Sequence, residues 1–478
     1  METRNRVGDA WIASDSGATL EVRNPANDEL IASVPRCGAS EARAAIDAAA
    51  RALPAWRALP AQERARPLRR LFELMHRDTD RLARLLSAEQ GKPLAEARGE
   101  IAYAASFIEW AAEEGRRLYG DIVPASTPDR RILVLRQPIG VTAAITPWNF
   151  PAAMITRKLG PALAAGCTMI VKPAEQTPLS ALALAELAIE AGLPDGVMNV
   201  ITGDAPAIGG AIFADPRVRK VSFTGSTEVG RILMGLAAQN LVRLSLELGG
   251  HAPFLVFEDA DLDAAVAGAL VSKFRNMGQT CICPNRFYVA DAVYDAFVAK
   301  LAAAASALKV APAWVEGAQV GPLIDDAAVD KVNQHIDDAL TRGARAVTGA
   351  RWLDLGPGLS RRFCAPTVLD GVTPDMLVST EETFGPVAPV QRFHSEAEAI
   401  ALANASPYGL ASYFYSRDAG RLMRVAEALE YGIVGANDGA VSTAQAPFGG
   451  VKASGFGREG GKYVMDEYTT LKYVSWKI

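Results

Sequence analysis

The chain has 478 residues, half of them hydrophobic and 22% charged, a composition typical of a globular protein with two or three domains. The net charge of −5 gives no basic surface, residues 1–9 lack the apolar core of a signal peptide, and no apolar run could span a bilayer, so we expect no nucleic-acid or membrane partner. Five cysteines and four scattered histidines argue against a disulfide framework and a metal site, which predicts a reduced, cytoplasmic protein without bound metal.

The first 117 residues are predicted to be mostly helical after a short start rich in strands. An alanine-rich helix begins near Ala39 and is expected to stop near Pro54. Residues 60–90 and 94–119 carry leucine, isoleucine and alanine at helical spacing, which indicates further packing helices.

Two segments are predicted to leave the main body as an arm. Residues 120–131 contain two prolines and few large apolar side chains, and residues 132–136 then alternate as a strand. Residues 468–476, near the C-terminus, form another strand-like extension. An arm outside the core suggests contacts between subunits, so we expect a homo-oligomer, either a dimer or a tetramer.

From residue 139 to residue 250, short strands alternate with helices, which favours a doubly wound, mostly parallel sheet. In such sheets, ligands bind at the carboxyl ends of the strands. The informative polar residues all fall at predicted strand ends: Asn149, Lys172, Glu175, Gly225, Ser226 and Glu247. A second α/β segment extends from His251 to about Gly439, and a glycine-rich stretch follows at 447–455.

Cys281 follows a short polar turn with the sequence GQT at 278–280. Such a turn can expose the sulfur and offer backbone N–H groups to an oxyanion. Cys167, in contrast, lies in an apolar run that is typical of a buried structural thiol. Cys281 is therefore a candidate nucleophile, with a core thiol as the alternative.

Two other polar residues could serve this thiol. Asn149 lies between two prolines after a strand, where its amide could polarise a carbonyl or merely hold the turn. Glu247 ends a strand and precedes Leu-Gly-Gly, so it could be a general base with a raised pKa or an ordinary strand-end glutamate. Because no histidine has a triad-like setting, a carboxylate is the better candidate for the base.

The sequence FTGSTEVG at 223–230 follows a strand and opens a helix, which suits phosphate binding at a helix N-terminus. It is not the usual G-x-G-x-x-G fingerprint. Lys172 could hold a ribose hydroxyl or a phosphate, and Glu175 could accept hydrogen bonds from the adenosine ribose. The charge of Glu175 would repel a 2′-phosphate, which favours NAD over NADP.

Arg157 and Arg275 are charges in otherwise apolar surroundings. Each could be a solvated or structurally paired arginine. If both face one tunnel, two guanidinium groups would recognise a substrate carboxylate.

Together these motifs resemble those of the NAD(P)-dependent aldehyde dehydrogenase superfamily along essentially the whole chain. The motifs are PWNFP at 147–151, KPAE at 172–175, FTGSTEVG at 223–230, LELGG at 246–250, GQTC at 278–281, EETFGP at 381–386 and PFGG at 447–450. Finer detail resembles the succinate-semialdehyde dehydrogenase branch, in SKFRN at 272–276, Cys281-x-Cys283, YGIVG at 431–435, KASG at 452–455 and GREG at 457–460.

The resemblance implies an α/β fold with a Rossmann-like cofactor-binding domain, an α/β catalytic domain and a small β oligomerisation arm. It places the cofactor-binding domain at 1–117 and 138–249, the catalytic domain at 250–448, and the arm at 118–137 and 459–478.

The resemblance also implies roles for individual residues. Cys281 would form a thiohemiacetal with the aldehyde, Asn149 and the Cys281 N–H would hold the oxyanion, and Glu247 would activate the water that hydrolyses the thioester. NAD, preferred on account of Glu175, or NADP would be bound by Thr146, Pro147, Trp148, Lys172, Glu175, Gly225, Ser226, Glu382 and Phe384. Arg157, Arg275 and Ser442 would bind the distal carboxylate of a small semialdehyde substrate.

The expected reaction is oxidation of succinate semialdehyde or a similar ω-carboxy aldehyde, with glutarate semialdehyde or a broader range of aliphatic aldehydes as alternatives. The segment 437–445 departs from the wording usual in the branch, so the exact aldehyde stays open. Cys283 could form a reversible disulfide with Cys281, although cysteines so close in sequence are strained partners. A thiol hydrolase and a catalytically retired structural protein are the alternatives from other classes.

Overall fold

The structure is a computed structural model that describes residues 2–478, which form 22 strands, 15 α-helices and two short 3-10 helices, at Arg275–Gly278 and Asp291–Val293. The strands are β1 (Asn5–Val7), β2 (Ala10–Ile12), β3 (Thr19–Arg23), β4 (Leu30–Pro35), β5 (Asp121–Val123), β6 (Arg130–Pro138), β7 (Val141–Ile145), β8 (Thr168–Lys172), β9 (Met198–Val200), β10 (Val218–Thr224), β11 (Arg243–Glu247), β12 (Ala252–Val256), β13 (Pro284–Ala290), β14 (Arg345–Thr348), β15 (Thr367–Asp370), β16 (Val387–Phe393), β17 (Tyr408–Gly409), β18 (Ala411–Tyr415), β19 (Ile433–Ala436), β20 (Val451–Lys452), β21 (Gly455–Phe456) and β22 (Thr469–Lys477). The helices are α1 (Ala39–Ala58), α2 (Ala61–Arg77), α3 (Thr79–Gln90), α4 (Leu94–Gly115), α5 (Ala153–Ala165), α6 (Leu179–Glu190), α7 (Ala205–Ala214), α8 (Thr227–Ala237), α9 (Leu262–Phe274), α10 (Tyr294–Ser306), α11 (Asp326–Thr341), α12 (Leu377–Thr380), α13 (Glu396–Asn404), α14 (Ala419–Ala428) and α15 (Val464–Glu467).

The first large sheet has the strand order β2-β1-β9-β8-β7-β10-β11-β21. Its five central strands, from β9 to β11, run parallel, while β1 and β21 join the two sides antiparallel. Side chains of β8 alternate between two cores, since Met169 and Val171 belong to one hydrophobic cluster and Ile170 to another. This sheet, covered on both faces, confirms the predicted doubly wound architecture.

The second large sheet has the order β14-β15-β16-β13-β12-β18-β19 and is parallel except for β14. It too is buried on both faces, because Phe287 and Val289 of β13 pack in one cluster while Tyr288 and Ala290 pack in another. The predicted second α/β segment is therefore confirmed.

A third, antiparallel sheet has the order β22-β6-β5. β22 pairs with β6 over nine residues, from Thr469 opposite Pro138 to Lys477 opposite Arg130. Apart from Pro138, its residues lie in the two segments predicted as the arm, 118–137 and 459–478. The division of the chain into named domains, with the boundaries given above, stays a prediction.

The helix boundaries differ from the prediction in three places, one of which is α4, which ends at Gly115 and not near residue 119. α1 continues through Pro54 to Ala58, and the stretch 60–90 is divided at Asp78 into α2 and α3. Within residues 2–478, none of the helices combines the length and the apolar character needed to cross a membrane.

Candidate active site

A cleft of about 370 Å³ opens at the carboxyl ends of β7, β10 and β11. It is lined by Pro147, Trp148, Asn149, Met154, Thr224, Gly225, Ser226, Leu248, Gly249, Cys281, Ile324, Asp325, Ala327, Ala328, Lys331, Glu382, Thr383 and Phe384. The residues come from the ends of strands in the first sheet, from α5 and α11, and from the loops that precede β13 and β16. Ligand sites at strand ends are the rule for doubly wound sheets.

Cys281 reaches this cleft from an unusual turn between α9 and β13. Asn276 and Met277 have φ of 50° and 60°, and Gly278 follows with φ of 73°. The left-handed region is costly for residues with a Cβ, so such strain persists only where the surrounding structure enforces it. A Cβ at Gly278 would lie 2.2 Å from the carbonyl oxygen of Gly385, so only glycine allows this close approach.

The Cys281 thiol is half-buried on the cleft wall. Burial raises its pKa to about 12. The positive charge of Arg157 lowers this pKa, and the carboxylates of Glu382, Glu247 and Glu459 raise it. The resting group is therefore a neutral thiol at neutral pH, and a base must take its proton before the sulfur can act as a nucleophile.

Asn149 lines the same cleft and is 4% exposed. Its Nδ2 donates to the carbonyl of Gln279, two residues before the nucleophile, at 3.0 Å. Its Oδ1 has no partner among the described residues. Since an amide nitrogen carries two hydrogens, one remains to donate into the cleft.

Glu247 is 2% exposed, and neither of its carboxylate oxygens has a hydrogen-bond partner within residues 2–478. Burial raises its pKa well above the usual range, and the neighbouring charge of Glu459 raises it further, while Arg157 and Lys158 oppose both effects. The Glu247 carboxylate lies behind the cleft wall, 2.8 Å from the point where Gly449 would carry a Cβ.

A buried ionic cluster stands beside Glu247 and was missed in the sequence. Glu459 pairs with Lys158 and also with Arg157, whose Nε lies 2.7 Å from Oε2 without hydrogen-bond alignment. These two cations hold the pKa of Glu459 below its usual value against the effect of burial. The two carboxyl groups thus differ, with Glu459 anionic and Glu247 able to exchange a proton. Lys158 and Glu459 lie 301 positions apart in the chain, so no local sequence signal could have found the cluster.

Six of the nine predicted cofactor residues line the cleft: Pro147, Trp148, Gly225, Ser226, Glu382 and Phe384. The rings of Trp148 and Phe384 meet edge to face, with centroids 5.6 Å apart. Glu382 accepts a hydrogen bond from the N–H of Gly250 at 3.0 Å, and burial raises the pKa of its carboxyl to about 7.

The other three predicted cofactor residues lie outside the cleft lining. Thr146 is buried, and its hydroxyl has no partner within the described part of the chain. Lys172 is buried and forms an ion pair with Glu175, whose side chain is 41% exposed. Each charge of this pair offsets the other.

The predicted carboxylate ligands have different surroundings. Arg157 is 1% exposed, and its guanidinium carbon lies 3.8 Å from the ring centroid of Phe448. Arg275 is half-buried with its guanidinium carbon 5.2 Å from the ring centroid of Phe150, and it makes no hydrogen bond or ion pair within residues 2–478. The hydroxyl of Ser442 is hydrogen-bonded to that of Tyr103.

Cys283 is buried, and its thiol donates weakly to the carbonyl of Lys273 at 3.5 Å. All five cysteines are free. The disulfide with Cys281 stays a prediction. No group of three or more His, Cys, Asp or Glu side chains suited to a metal ion occurs among residues 2–478.

The chain is similar to known proteins along nearly its whole length. The model of the aldehyde dehydrogenase family matches residues 11–474. Glutarate-semialdehyde dehydrogenase of Pseudomonas aeruginosa is 60% identical over 98% of this chain and 96% of its own length. The NADP(+) succinate-semialdehyde dehydrogenase GabD of Escherichia coli is also 60% identical, with the same coverage. The crystal structure of succinate-semialdehyde dehydrogenase from Burkholderia pseudomallei superposes with a TM-score of 0.98 at 58% identity, covering 99% of this chain and 98% of that one.

Proposed function

The chain belongs to the aldehyde dehydrogenase family, and we propose that it oxidises an aldehyde with a distal carboxylate to the dicarboxylate, using NAD(P)+. Succinate semialdehyde is the proposed substrate, and glutarate semialdehyde is the alternative. The observation that carries the proposal is Arg275, an unpaired and half-buried guanidinium located six residues before Cys281. The relatives named for these two semialdehydes support it.

In the proposed mechanism, the sulfur of Cys281 attacks the aldehyde carbon and forms a thiohemiacetal. Glu247 is an unpaired buried carboxylate near the thiol and takes its proton. The second N–H of the Asn149 amide and the backbone N–H of Cys281 stabilise the negative charge on the former aldehyde oxygen. NAD(P)+ held by Gly225, Ser226 and Glu382 would supply the hydride acceptor, so that loss of hydride from the carbon attached to Cys281 would give a thioester.

Once Glu247 has released the thiol proton to solvent, it takes a proton from the water that attacks the thioester. The sulfur of Cys281 then leaves and receives that proton as the carboxylic acid forms. Because the pKa of Glu247 is raised, its carboxylate is a stronger base than an exposed glutamate. The same shift makes turnover fall as the pH drops through that raised pKa, since protonated Glu247 cannot accept a proton. Its lack of hydrogen bonds leaves the carboxylate free to turn toward the thiol.

The cleft fits a nicotinamide dinucleotide on its own features. Gly225 and Ser226 precede the first turn of α8, where backbone N–H groups favour phosphate. Trp148 and Phe384 form apolar walls for a planar ring, and Glu382 can accept hydrogen bonds from ribose hydroxyls.

We propose that NAD+ is preferred and NADP+ is accepted. The carboxylate of Glu175 would accept hydrogen bonds from a 2′-hydroxyl and repel a 2′-phosphate. Its ion pair with Lys172 weakens that repulsion, and the Escherichia coli relative is named for NADP+.

The five free cysteines support a cytoplasmic location.

The deciding experiment is a panel of ω-carboxy and plain aldehydes, assayed with both cofactors by absorbance at 340 nm. We expect the highest kcat/KM with succinate semialdehyde and NAD+. Cys281→Ala should abolish turnover but keep NAD+ binding, while Cys364→Ala, a buried cysteine elsewhere, should retain both. Normal turnover by Cys281→Ala would refute the mechanism, and equal kcat/KM for plain aldehydes would refute the substrate class. Family membership and the nucleotide-site residues Lys172, Gly225 and Glu382 count against a thiol hydrolase. The presence of Cys281, Glu247 and Asn149 counts against a retired enzyme.

A further inference from the structure

The backbone carbonyl of Asn149 is held by two side chains from distant parts of the chain. Lys92 Nζ donates to it at 2.9 Å, and Asn276 Nδ2 donates to it at 3.0 Å. With the bond from the Asn149 amide to Gln279, both ends of this residue are fixed. An amide held in this way cannot rotate or shift without breaking a buried hydrogen bond.

Lys92 is 2% exposed and lies between α3 and α4. Its ammonium group also pairs with Glu100 at 2.5 Å and lies 3.8 Å from the ring centroid of Phe150. The other carboxylate oxygen of Glu100 accepts bonds from the N–H groups of Ala152 and Ala153, at 3.0 and 3.3 Å. The pair therefore anchors the chain at Asn149 and again at the start of α5.

Burying an ion pair gains little net stability, because desolvation offsets the attraction between the charges. Stability alone therefore does not account for a fully buried lysine and glutamate here, and what the pair does provide is fixed geometry around Asn149.

Asn276 extends the same restraint to the nucleophile turn. Its side-chain oxygen accepts a bond from Gln90 Nε2 at 2.9 Å, and its backbone N–H donates to Glu96 at 2.9 Å. Its Nδ2 also donates to the carbonyl of Gln279 at 3.2 Å. One strained residue therefore ties the end of α3, the Asn149 loop and the turn that carries Cys281.

We propose that Lys92 and Asn276 are positioning residues, which hold the Asn149 amide at the distance from Cys281 that stabilisation of the oxyanion requires. The proposal rests on the proposed role of Asn149. It assigns to the helical N-terminal part of the chain a share in transition-state stabilisation, although neither side chain need contact the substrate.

The test is a double-mutant cycle on the rate of the first hydride transfer, measured as the burst at 340 nm. Lys92→Met is combined with Glu100→Gln, so that Glu100 is not left as an unpaired buried charge. We expect this pair to slow the burst by about tenfold to hundredfold, the range expected for a small misplacement of a catalytic group, while the Kd for NAD+ stays unchanged. In an Asn149→Ala background, the same pair should cause no further loss, because the group that it positions is absent.

Asn276→Gly is the second variant, since glycine accepts the left-handed backbone and loses only the side chain. It should show the same loss of burst rate and the same dependence on Asn149. The control is Lys220→Met with Glu467→Gln, which removes a different ion pair, 3.0 Å long, between a buried lysine and a half-buried glutamate, and should leave the burst rate intact.

The results distinguish the oxyanion role of Asn149 from its positioning by Lys92 and Asn276. If Asn149→Ala leaves the burst unchanged, the oxyanion role fails and the positioning proposal falls with it. If Asn149→Ala slows the burst but the Lys92 and Asn276 variants do not, only the positioning proposal is refuted. An equal loss in both backgrounds, or an equal loss in the control, would mean general damage to the fold and would also overturn it.

Discussion

The two arginines predicted as carboxylate ligands differ in burial and in whether a carboxylate already neutralises their charge. Arg157 is already neutralised by Glu459 and packed against Phe448. The Arg275 side chain has no ion pair or hydrogen bond within residues 2–478. Its charge does act on the Glu96 carboxyl, whose pKa it lowers. A substrate carboxylate would therefore gain most from Arg275, and Arg157 mainly sets the charge around Glu247 and Glu459.

We expect Arg275→Met to raise KM for succinate semialdehyde by about tenfold to a hundredfold, with little change in kcat. Losing a charge-assisted hydrogen bond costs about 1.5–3 kcal/mol, and about 1.4 kcal/mol corresponds to a factor of ten. KM for a plain aldehyde such as propanal should hardly change. A similar rise in KM for both substrates would rule out a carboxylate ligand at this position.

The comparison variant is Arg157→Met, which should act chiefly on stability. Removing one partner from a buried ion pair costs about 3–5 kcal/mol, so its Tm should fall by several degrees while that of Arg275→Met stays near the wild type.

Sequence reasoning reached the residues that stand in recognisable motifs, and it missed those defined only by contacts. Cys281, Asn149 and Glu382 each lie in a short motif, and the structure brings all three to one cleft. Lys158 meets Glu459 across 301 positions, and Lys92 meets the carbonyl of Asn149 across 57. A buried lysine in a helix looks like a solvated one until its partner is known, so no local pattern could have shown these pairs.

At the scale of elements, alternation of strands and helices was sufficient to predict the sheet from residue 139 onward. Hydrophobic spacing could not locate the break at Asp78, because α2 and α3 have compatible periodicity on either side. Pro54 does not end α1 either. It lies in the last turns of a 20-residue helix, and tertiary packing of that helix compensates for the hydrogen bond that proline cannot donate. Propensity sets these boundaries only where packing does not override it.

The start of α6 offers a prediction about pH and stability. Glu89 is fully buried and accepts bonds from the N–H groups of Leu179 and Ser180, at 2.7 and 2.8 Å. Burial raises the pKa of its carboxyl to about 8, from 4.5. Because the folded state keeps the proton that the unfolded state loses, this contribution to stability is complete below pH 4.5 and is lost progressively up to about pH 8.

Glu89→Gln removes this titration with little change of shape. Between pH 5 and pH 8 we expect the free energy of unfolding of the wild type to fall more steeply than that of the variant, by up to about 1.4 kcal/mol per pH unit. The Tm of the wild type should fall more steeply as a result. Above about pH 8.5 the two curves should run parallel. Thermal scans at one fixed rate across this pH range provide the check, and parallel curves throughout would contradict the raised pKa.

At the scale of the whole molecule, the last residues of the chain complete structures begun near residue 120 and residue 247. β21 pairs with β11, with Gly455 opposite Glu247, and the chain then brings Glu459 to the same region. β22 next joins β6 to form the third sheet. The C-terminal segment therefore serves both the site and the arm, a link that only the long-range pairing reveals.

The third sheet has the properties of a surface that is buried in an interface with another protein chain. β22 is an edge strand of nine residues, and such an edge invites pairing unless something protects it. Large apolar side chains on one face of this sheet are exposed in the single chain, among them Val123 at 41%, Leu471 at 66% and Tyr473 at 62%. Contiguous apolar exposure of this kind marks an interaction site. We propose that a second copy of the chain covers it.

We expect the wild-type protein to elute as a dimer or tetramer when its mass is measured by light scattering after size-exclusion chromatography. Leu471→Lys with Tyr473→Lys places two charges on one face of β22, because residues two apart point the same way along a strand. Burying these charges between subunits without partners would be unfavourable, so the mass should fall toward that of one chain. The control, Trp314→Lys with Val315→Lys, changes two exposed apolar residues in the loop before α11 and should keep the wild-type mass. A monomeric wild type, or an assembly that survives the β22 change, would exclude this sheet as the interface.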